Sequence, residues 1–281
     1  MGVAVVTDST SDIDPALAEK HGITVVPLFV IWGERRYRDY VELSREEFYR
    51  KLEQEPLLPA TSQPTLEMFA SVFAAHAAAG TPIYCIVVSS KLSGTVNVAH
   101  AAAQQFPGAR IVVRDSRSVA GGLAMLALRA AACAKSGATL EAIDAAVERM
   151  LGNLRLFGCL PDLSFLVRTG RIGRARAAVG TLMKIVPVLT LKDGEVVAEA
   201  QVRTFSRARE VMIELTMRGV RDPENTDFLV MHTHAPELAA EVAERVGEAL
   251  LGKTPASLEI REAGPVIATH GGPGAVGIFS C

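Results

Sequence analysis

The chain alternates short apolar runs with longer stretches of helical character. Val3 to Val6 is apolar and closes in Thr7-Asp8-Ser9-Thr10-Ser11, a strand followed by a hydroxyl-rich turn. Asp14-Pro15 opens a helix, with aspartate as cap and proline in the first turn, and Gly22 stops it. Ile23 to Trp32 reads as a second strand, with Pro27 marking an edge or a bulge. Gly33 to Leu43 is charged and reads as a hairpin or loop. Ser44-Arg-Glu-Glu47 is a capping box for a helix through Glu53. Thr61-Ser62-Gln63-Pro64-Thr65 is a further hydroxyl-rich turn, opening a helix over Leu66 to Ala79.

Ile83 to Ala103 organises what surrounds it. Ile83 to Val88 has the continuous apolarity of a strand buried on both faces. Ser89 to Thr95 is a turn dense in hydroxyls, and an Ala-rich helix follows to about Phe106, stopped by Pro107-Gly108. The first N–H groups of such a helix lack partners within it and carry the positive end of its dipole. Ser93 or Thr95 is placed to cap them, and Gly94 lets a ligand approach the backbone, an anion most readily. Arg110 to Val113 is another strand, ending in Asp115-Ser-Arg-Ser118. Gly121-Gly122 leads into a helix to Lys135, and Thr139 caps one through about Leu151. Asp-Ser-x-Ser thus follows a strand twice, at Asp8 and Asp115, as two good cap sequences or the trace of an old repeat.

Strands alternating with helices predict an N-terminal α/β domain over residues 1–155, a parallel sheet flanked by helices. Beyond Asn153 the texture changes. Leu163 to Arg176 is basic and glycine-containing. Ile185 to Leu191 and Glu195 to Arg203 flank Asp193-Gly194, a hairpin signal. Ser206 opens a helix to Arg218, Phe228 to His232 is a strand, Pro236 to Leu251 a helix and Leu258 to Arg261 a strand. Val266 to Thr269 and Ala275 to Phe279 read as closing strands around His270-Gly-Gly-Pro-Gly274. This predicts a second α/β domain with a mixed sheet over 156–281, its final strands open to pairing in either domain.

The 281 residues are 49% hydrophobic and only 5% aromatic, so the core is aliphatic and Ala-rich. A net charge of -2 gives no reason to expect nucleic acid. No apolar run reaches the ~18 residues a membrane span needs. The N-terminus reads as a strand, not a signal peptide. Four scattered cysteines without CxxC spacing fit a reducing, cytoplasmic setting.

Gly272-x-Gly274-x-x-Gly277 formally matches GxGxxG, but no helix can follow it, so it is no dinucleotide site. Such a turn instead suggests an anion nest, with His270 at its mouth as donor or positive charge. Arg168, Arg171, Arg174 and Arg176 form a basic cluster suited to phosphate or carboxylate. His232-Thr-His234 has no acidic or Cys partner spaced nearby, so no metal is expected. No P-loop, kinase loop set or GxSxG is present.

Taken together the motifs resemble the DegV family of fatty-acid-binding proteins. The matching stretches are Val6 to Asp12, Thr61 to Thr65, Ser89 to Thr95, Asp115 to Ser118, Thr169 to Gly173, Ile185 to Gly194 and Gly264 to Ala275, in the family's order. The resemblance implies two α/β domains enclosing one long-chain fatty acid, with no other cofactor and no catalysis by the chain itself. It implies a cytoplasmic binding subunit that presents the acid's carboxylate to a fatty acid kinase-like partner, which makes the acyl phosphate. Transient contact with a membrane surface is compatible with that role. Head-group contacts are expected from Thr61, Ser93, Gly94, Thr95, His270 and Gly271, and phosphate or partner contacts from Arg171 and Arg203. Around Arg171 the family's usual glycine pair and lysine are replaced by Arg168-Thr-Gly-Arg171-Ile-Gly. The competing reading is a stand-alone hydrolase or phosphotransferase of a small phosphorylated substrate, using Asp8 or Asp115 near His270.

Overall fold

The structure is a computed structural model and describes residues 2–176 and 185–281. The chain forms two compact units. One comprises Met1–Gly152 with Gly264–Val266, the other Asn153–Ala263 with Ile267–Cys281.

The first unit contains β1 (Ala4–Asp8), α1 (Pro15–His21), β2 (Ile23–Val26), β3 (Phe29–Trp32), β4 (Arg35–Arg38), α2 (Arg45–Gln54), β5 (Ala60–Ser62), α3 (Leu66–Ala78), β6 (Ile83–Val87), α4 (Thr95–Ala103), β7 (Ile111–Asp115), α5 (Ala120–Lys135) and α6 (Leu140–Asn153). Strands β2, β1, β6 and β7 make a parallel sheet in that order. Every residue of β6 is buried. Ile83, Cys85 and Val87 pack with Phe69 and Phe73 of α3 and Val96, Ala99 and Ala102 of α4. The alternation of a strand turns Tyr84 and Ile86 to the opposite face.

The expected strand from Ile23 to Trp32 is two strands in two sheets. Proline at 27 has no N–H to continue the ladder, so pairing stops at Val26. The chain then enters a small antiparallel sheet, ordered β4, β3, β5. The Thr61–Thr65 turn therefore starts on a strand, with Thr61 opposite Val30. The caps on α1 and α2 form as expected: Asp14 accepts from Leu17 N–H at 2.9 Å and Ser44 from Glu47 N–H at 3.1 Å.

The second unit holds β8 (Arg155–Cys159), α7 (Ser164–Arg168), β9 (Val186–Lys192), β10 (Glu195–Val202), α8 (Phe205–Gly219), β11 (Asp227–His232), α9 (Pro236–Ala249), β12 (Ser257–Glu262) and β13 (Val276–Ser280). Helix α10 (Pro265–Gly271) starts in the residues of the first unit and ends in those of the second. The sheet runs β10, β9, β8, β13, β11, β12 and is antiparallel except for β11 with β12. Met212 of α8 and Val242 and Val246 of α9 pack against Phe228, Val230 and Ile278. Asp193 and Gly194 both take positive φ, as a tight hairpin turn requires.

Three expectations fail in this unit. Arg155–Cys159 is a strand that the sequence reading left out; its five residues are too few for periodicity to show. Thr204, not Ser206, caps α8, accepting from Arg207 N–H at 3.2 Å. Val266 to Thr269 is helical, because Gly264-Pro265 starts a helix rather than ending a strand. The last strand, β13, pairs with β8 and β11 of its own unit.

The return of Gly264–Val266 to the first unit rests on a buried polar clasp. Asp12, at a left-handed φ of 53°, accepts the Gly264 N–H at 2.8 Å and the Tyr40 hydroxyl at 3.1 Å. Arg45 donates to the Tyr40 oxygen at 3.0 Å. A Cβ on Gly264 would lie 2.5 Å from the Tyr40 ring, so only glycine fits there. Asp8, Asp12 and Asp39 are all buried. Burial raises Asp12 to about 7, against the Gly264 N–H, Arg45 and Tyr40, with Asp8 adding to the rise. Burial pushes Asp39 well above the carboxylate range, and Asp12 and Asp8 add to it. A carboxyl whose folded pKa lies above its unfolded 3.8 binds its proton more tightly when folded. Its contribution is complete at low pH and is lost as pH rises toward 7. Asp12→Asn keeps an acceptor for Gly264 and removes the charge. It should therefore gain stability over the parent as pH rises from 4 to 8, on the order of 4 kcal/mol at most. Thermal melts across that range check this; parallel pH profiles for the two proteins would refute it.

Candidate functional site

The hydroxyl-rich turns lie at the carboxyl ends of β1, β6 and β7. The chain runs from β1 outward to β2 on one side, then to β6 and β7 on the other. The direction reverses between β1 and β6, and open α/β sheets bind ligands at such a crevice. Asp8 ties it together: Oδ2 accepts Val88 N–H at 2.7 Å, and Oδ1 accepts the N–H and hydroxyl of Thr10 at 2.9 and 2.5 Å. Both oxygens are engaged and burial raises its pKa, so Asp8 is no accessible nucleophile. Asp115 likewise serves its turn, accepting from Arg117 N–H at 2.8 Å and Ser90 N–H at 3.3 Å.

Beyond Val88 the chain winds tightly. The Ser89 carbonyl accepts the N–H groups of Leu92 at 2.9 Å and Ser93 at 3.1 Å. Gly94 is the N-cap of α4, with no side-chain cap bond. Of the two expected partners Ser93 takes up the first N–H of the helix: its Oγ accepts the Thr95 N–H at 3.3 Å and lies 2.8 Å from Thr95 Oγ1. Two hydroxyls share one bond, which leaves one proton to donate elsewhere. Thr95 is fully buried and Ser93 half-buried. The arrangement that strands no buried proton has Thr95 donating to Ser93 and Ser93 donating outward. The Thr61–Thr65 turn comes to the same place, because a Cβ on Gly94 would lie 2.2 Å from Gln63 Oε1. The structure thus brings the two turns expected to hold a head group together within the first unit.

The remaining candidates belong to the second unit. His270 sits on the last turn of α10 rather than at a hairpin. The following glycine turn is not an open nest. Gly272 N–H donates to Ala268 O at 2.8 Å, Gly274 N–H to Thr233 O at 2.7 Å, and Ala275 N–H to Thr233 Oγ1 at 2.9 Å. Gly271 ends the helix and has ordinary room around it. His270 keeps some solvent exposure, yet the protein around it, then Arg171 and Arg168, pulls its pKa down to about 3. It is a neutral imidazole, not the positive charge the sequence allowed. Arg171 donates to Thr169 O at 2.5 Å, and Arg174 is turned away to Glu195 at 3.1 Å. Arg203 is exposed between β10 and α8. Nδ1 of His232 accepts the Ala235 N–H at 3.2 Å.

A family model described as "Uncharacterised protein, DegV family" matches residues 2–281. The chain belongs to the DegV family. Among solved structures, a DegV family protein from Thermus thermophilus, described by its fatty acid binding, superimposes with a TM-score of 0.92 at 35% identity, covering 100% of this chain and 99% of the other. DegV of Bacillus subtilis, described as a fatty acid binding protein, gives 0.91 at 30% identity with 100% and 99% coverage. A stearic acid-binding protein from Eubacterium ventriosum gives 0.89 at 28% identity with 99% and 97% coverage.

In this DegV-family chain the sequence motifs mark the turns but not the residues that pack on them: Gln63 lies over Gly94, and Tyr40, in a stretch that reads as a charged loop, bonds Asp12. A surface cleft of about 500 Å³ opens elsewhere, lined by Asn153, Arg155, Arg218, Arg221 and Asp222 among others. It contains none of the candidate residues. A folded pKa below the ordinary 6.5 of histidine means the neutral form is favoured. The stability His270 contributes is complete above that value and is lost as pH falls toward 3. Its ring resonances, followed by NMR in the ligand-free protein, should not move between pH 8 and 5; a midpoint near 6.5 would refute the neutral assignment.

Proposed function

We propose that the chain holds one long-chain fatty acid, with its carboxylate at Thr61 and Ser93, and presents it to a separate kinase. The observation that carries this reading is the meeting of the two hydroxyl turns over Gly94, in a chain that matches fatty-acid-binding relatives along its whole length. Thr95 and the Gly94 backbone support the Ser93 donor; His270 and Gly271 of the second unit are assigned to the head group on the family resemblance alone. Arg171 and Arg203 are assigned to phosphate or partner contact. The tail lies in an apolar tunnel, and the chain itself performs no chemistry. We place the protein in the cytoplasm: no helix among the described residues is long and apolar enough to cross a membrane, and the four cysteines are free.

The energetics divide the labour. A C16-type tail buried at ~0.8 kcal/mol per CH₂ yields on the order of 10 kcal/mol gross. A hydrogen bond to a charged group contributes about 1.5–3 kcal/mol. The tail therefore sets affinity while the hydroxyls set orientation, leaving one carboxylate oxygen reachable for phosphoryl transfer. The kinase-free hydrolase reading finds no support at Asp8, whose oxygens are consumed by backbone and Thr10.

Protein purified from cells, denatured and extracted should release about one fatty acid per chain by mass spectrometry. Absence of lipid from repeated preparations would defeat the reading. Ser93→Ala should weaken palmitate binding about 10-fold, roughly 1.4 kcal/mol, and lower the melting temperature somewhat, because the buried Thr95 hydroxyl loses its acceptor. With a fatty acid kinase and ATP, the loaded protein should yield acyl phosphate, and without the kinase none.

A further inference from the structure

Gly94 has a φ of -74°, a value any residue adopts. Backbone freedom is not why glycine stands there. Space is: a Cβ would meet Gln63 Oε1 at 2.2 Å and Cδ at 3.1 Å. Gln63 follows Thr61 by two residues and precedes a buried proline, Pro64, whose fixed φ limits where the turn can aim. Gln63 is exposed. Solvated glutamines ordinarily keep their rotamer freedom, worth up to about 1.5–2 kcal/mol. This one instead lies across the N-cap of α4, one residue from Ser93. Among the described residues its amide makes no hydrogen bond. It presents two N–H donors and one acceptor beside the outward-facing Ser93 hydroxyl.

We propose that Gln63 is a positioning residue for the head group, seated on the bare Cα of Gly94 and donating an amide N–H to the carboxylate held by Ser93. This inference rests on the fatty-acid reading above. The amide selects a lipid with an anionic head over one of equal length with a neutral head. Glycine at 94 serves it by leaving room for the seat. Since the obstructing atoms are the far end of a flexible side chain, a methyl group at 94 displaces Gln63 without disturbing the fold.

The test measures dissociation constants for palmitate and for 1-hexadecanol with the parent, S93A, Q63A, Q63E, G94A and the double variant Q63A/G94A. Melting temperatures confirm that each folds. Q63A should bind palmitate about 3–10-fold more weakly. Q63E, with the same shape but a negative charge against the carboxylate, should lose at least 10-fold. Hexadecanol should change less than twofold for both. G94A should match Q63A, and the double variant should be no weaker than the weaker single, since both remove one interaction. If Q63A and Q63E hold palmitate as tightly as the parent while S93A does not, the role of Gln63 is overturned and the fatty-acid reading stands. Equal losses for palmitate and hexadecanol overturn it too, as would additive losses in the double variant. A parent that binds no palmitate at all would instead remove the reading beneath it.

Discussion

Asp8 accepts the Val88 N–H across two neighbouring parallel strands and both donors of Thr10 within its own turn. Three bonds converge on one carboxylate that no solvent reaches. Breaking such an arrangement leaves buried donors without partners, at about 1–3 kcal/mol each. The end of β6 is thereby fixed against the end of β1. Everything that follows β6, from Ser89 through Gly94 to the first turn of α4, inherits that fixed origin. The hydroxyls of Ser93 and Thr95 point where they do because a buried acid one strand away holds the start of their turn.

Anion binding at such a place needs little further apparatus. The N-terminus of α4 contributes its dipole, and the hydroxyl pair contributes a donor already oriented by its neighbour. The amide proposed at Gln63 would add a donor without the desolvation cost of a buried cation. An anionic head in such surroundings is aligned more than it is trapped. That suits the carrier role proposed above. The buried acid Asp12 does different work: it holds the return of the chain at Gly264–Val266 through the Gly264 N–H and the Tyr40 hydroxyl.

Much of this was legible in the order of residues. The parallel sheet, most helix boundaries and the Asp193-Gly194 hairpin follow from apolar runs and punctuation by Gly, Pro, Asp and Ser. Ser93 stood out because its hydroxyl turn follows a buried strand, and Thr61 through the resemblance to the DegV family. Three things escaped for physical reasons. Pro27 signals a break in pairing, but not that the chain changes sheets there. Val266–Thr269 is rich in β-branched apolar residues, so local preference favours a strand, but Pro265 in the first turn starts a helix instead. The glycines at 272 and 274 resemble an anion nest, yet Thr233, about 40 residues earlier, takes up donors of that turn. Gln63 over Gly94 is a contact between turns some 30 residues apart, and single-residue patterns do not encode it.

The central claim is that hydroxyl donors on two turns hold an ionised carboxylate. Palmitate labelled with ¹³C at its carboxyl carbon reports on this directly. Bound to the protein, it should give one resonance, distinct from free lipid, whose position stays constant from pH 7 to pH 5 because donors to the charged form keep it ionised. In Ser93→Ala that resonance should shift and begin to titrate within the same range. A bound resonance that titrates in the parent as free fatty acid does, or one indifferent to the loss of Ser93, would contradict the account.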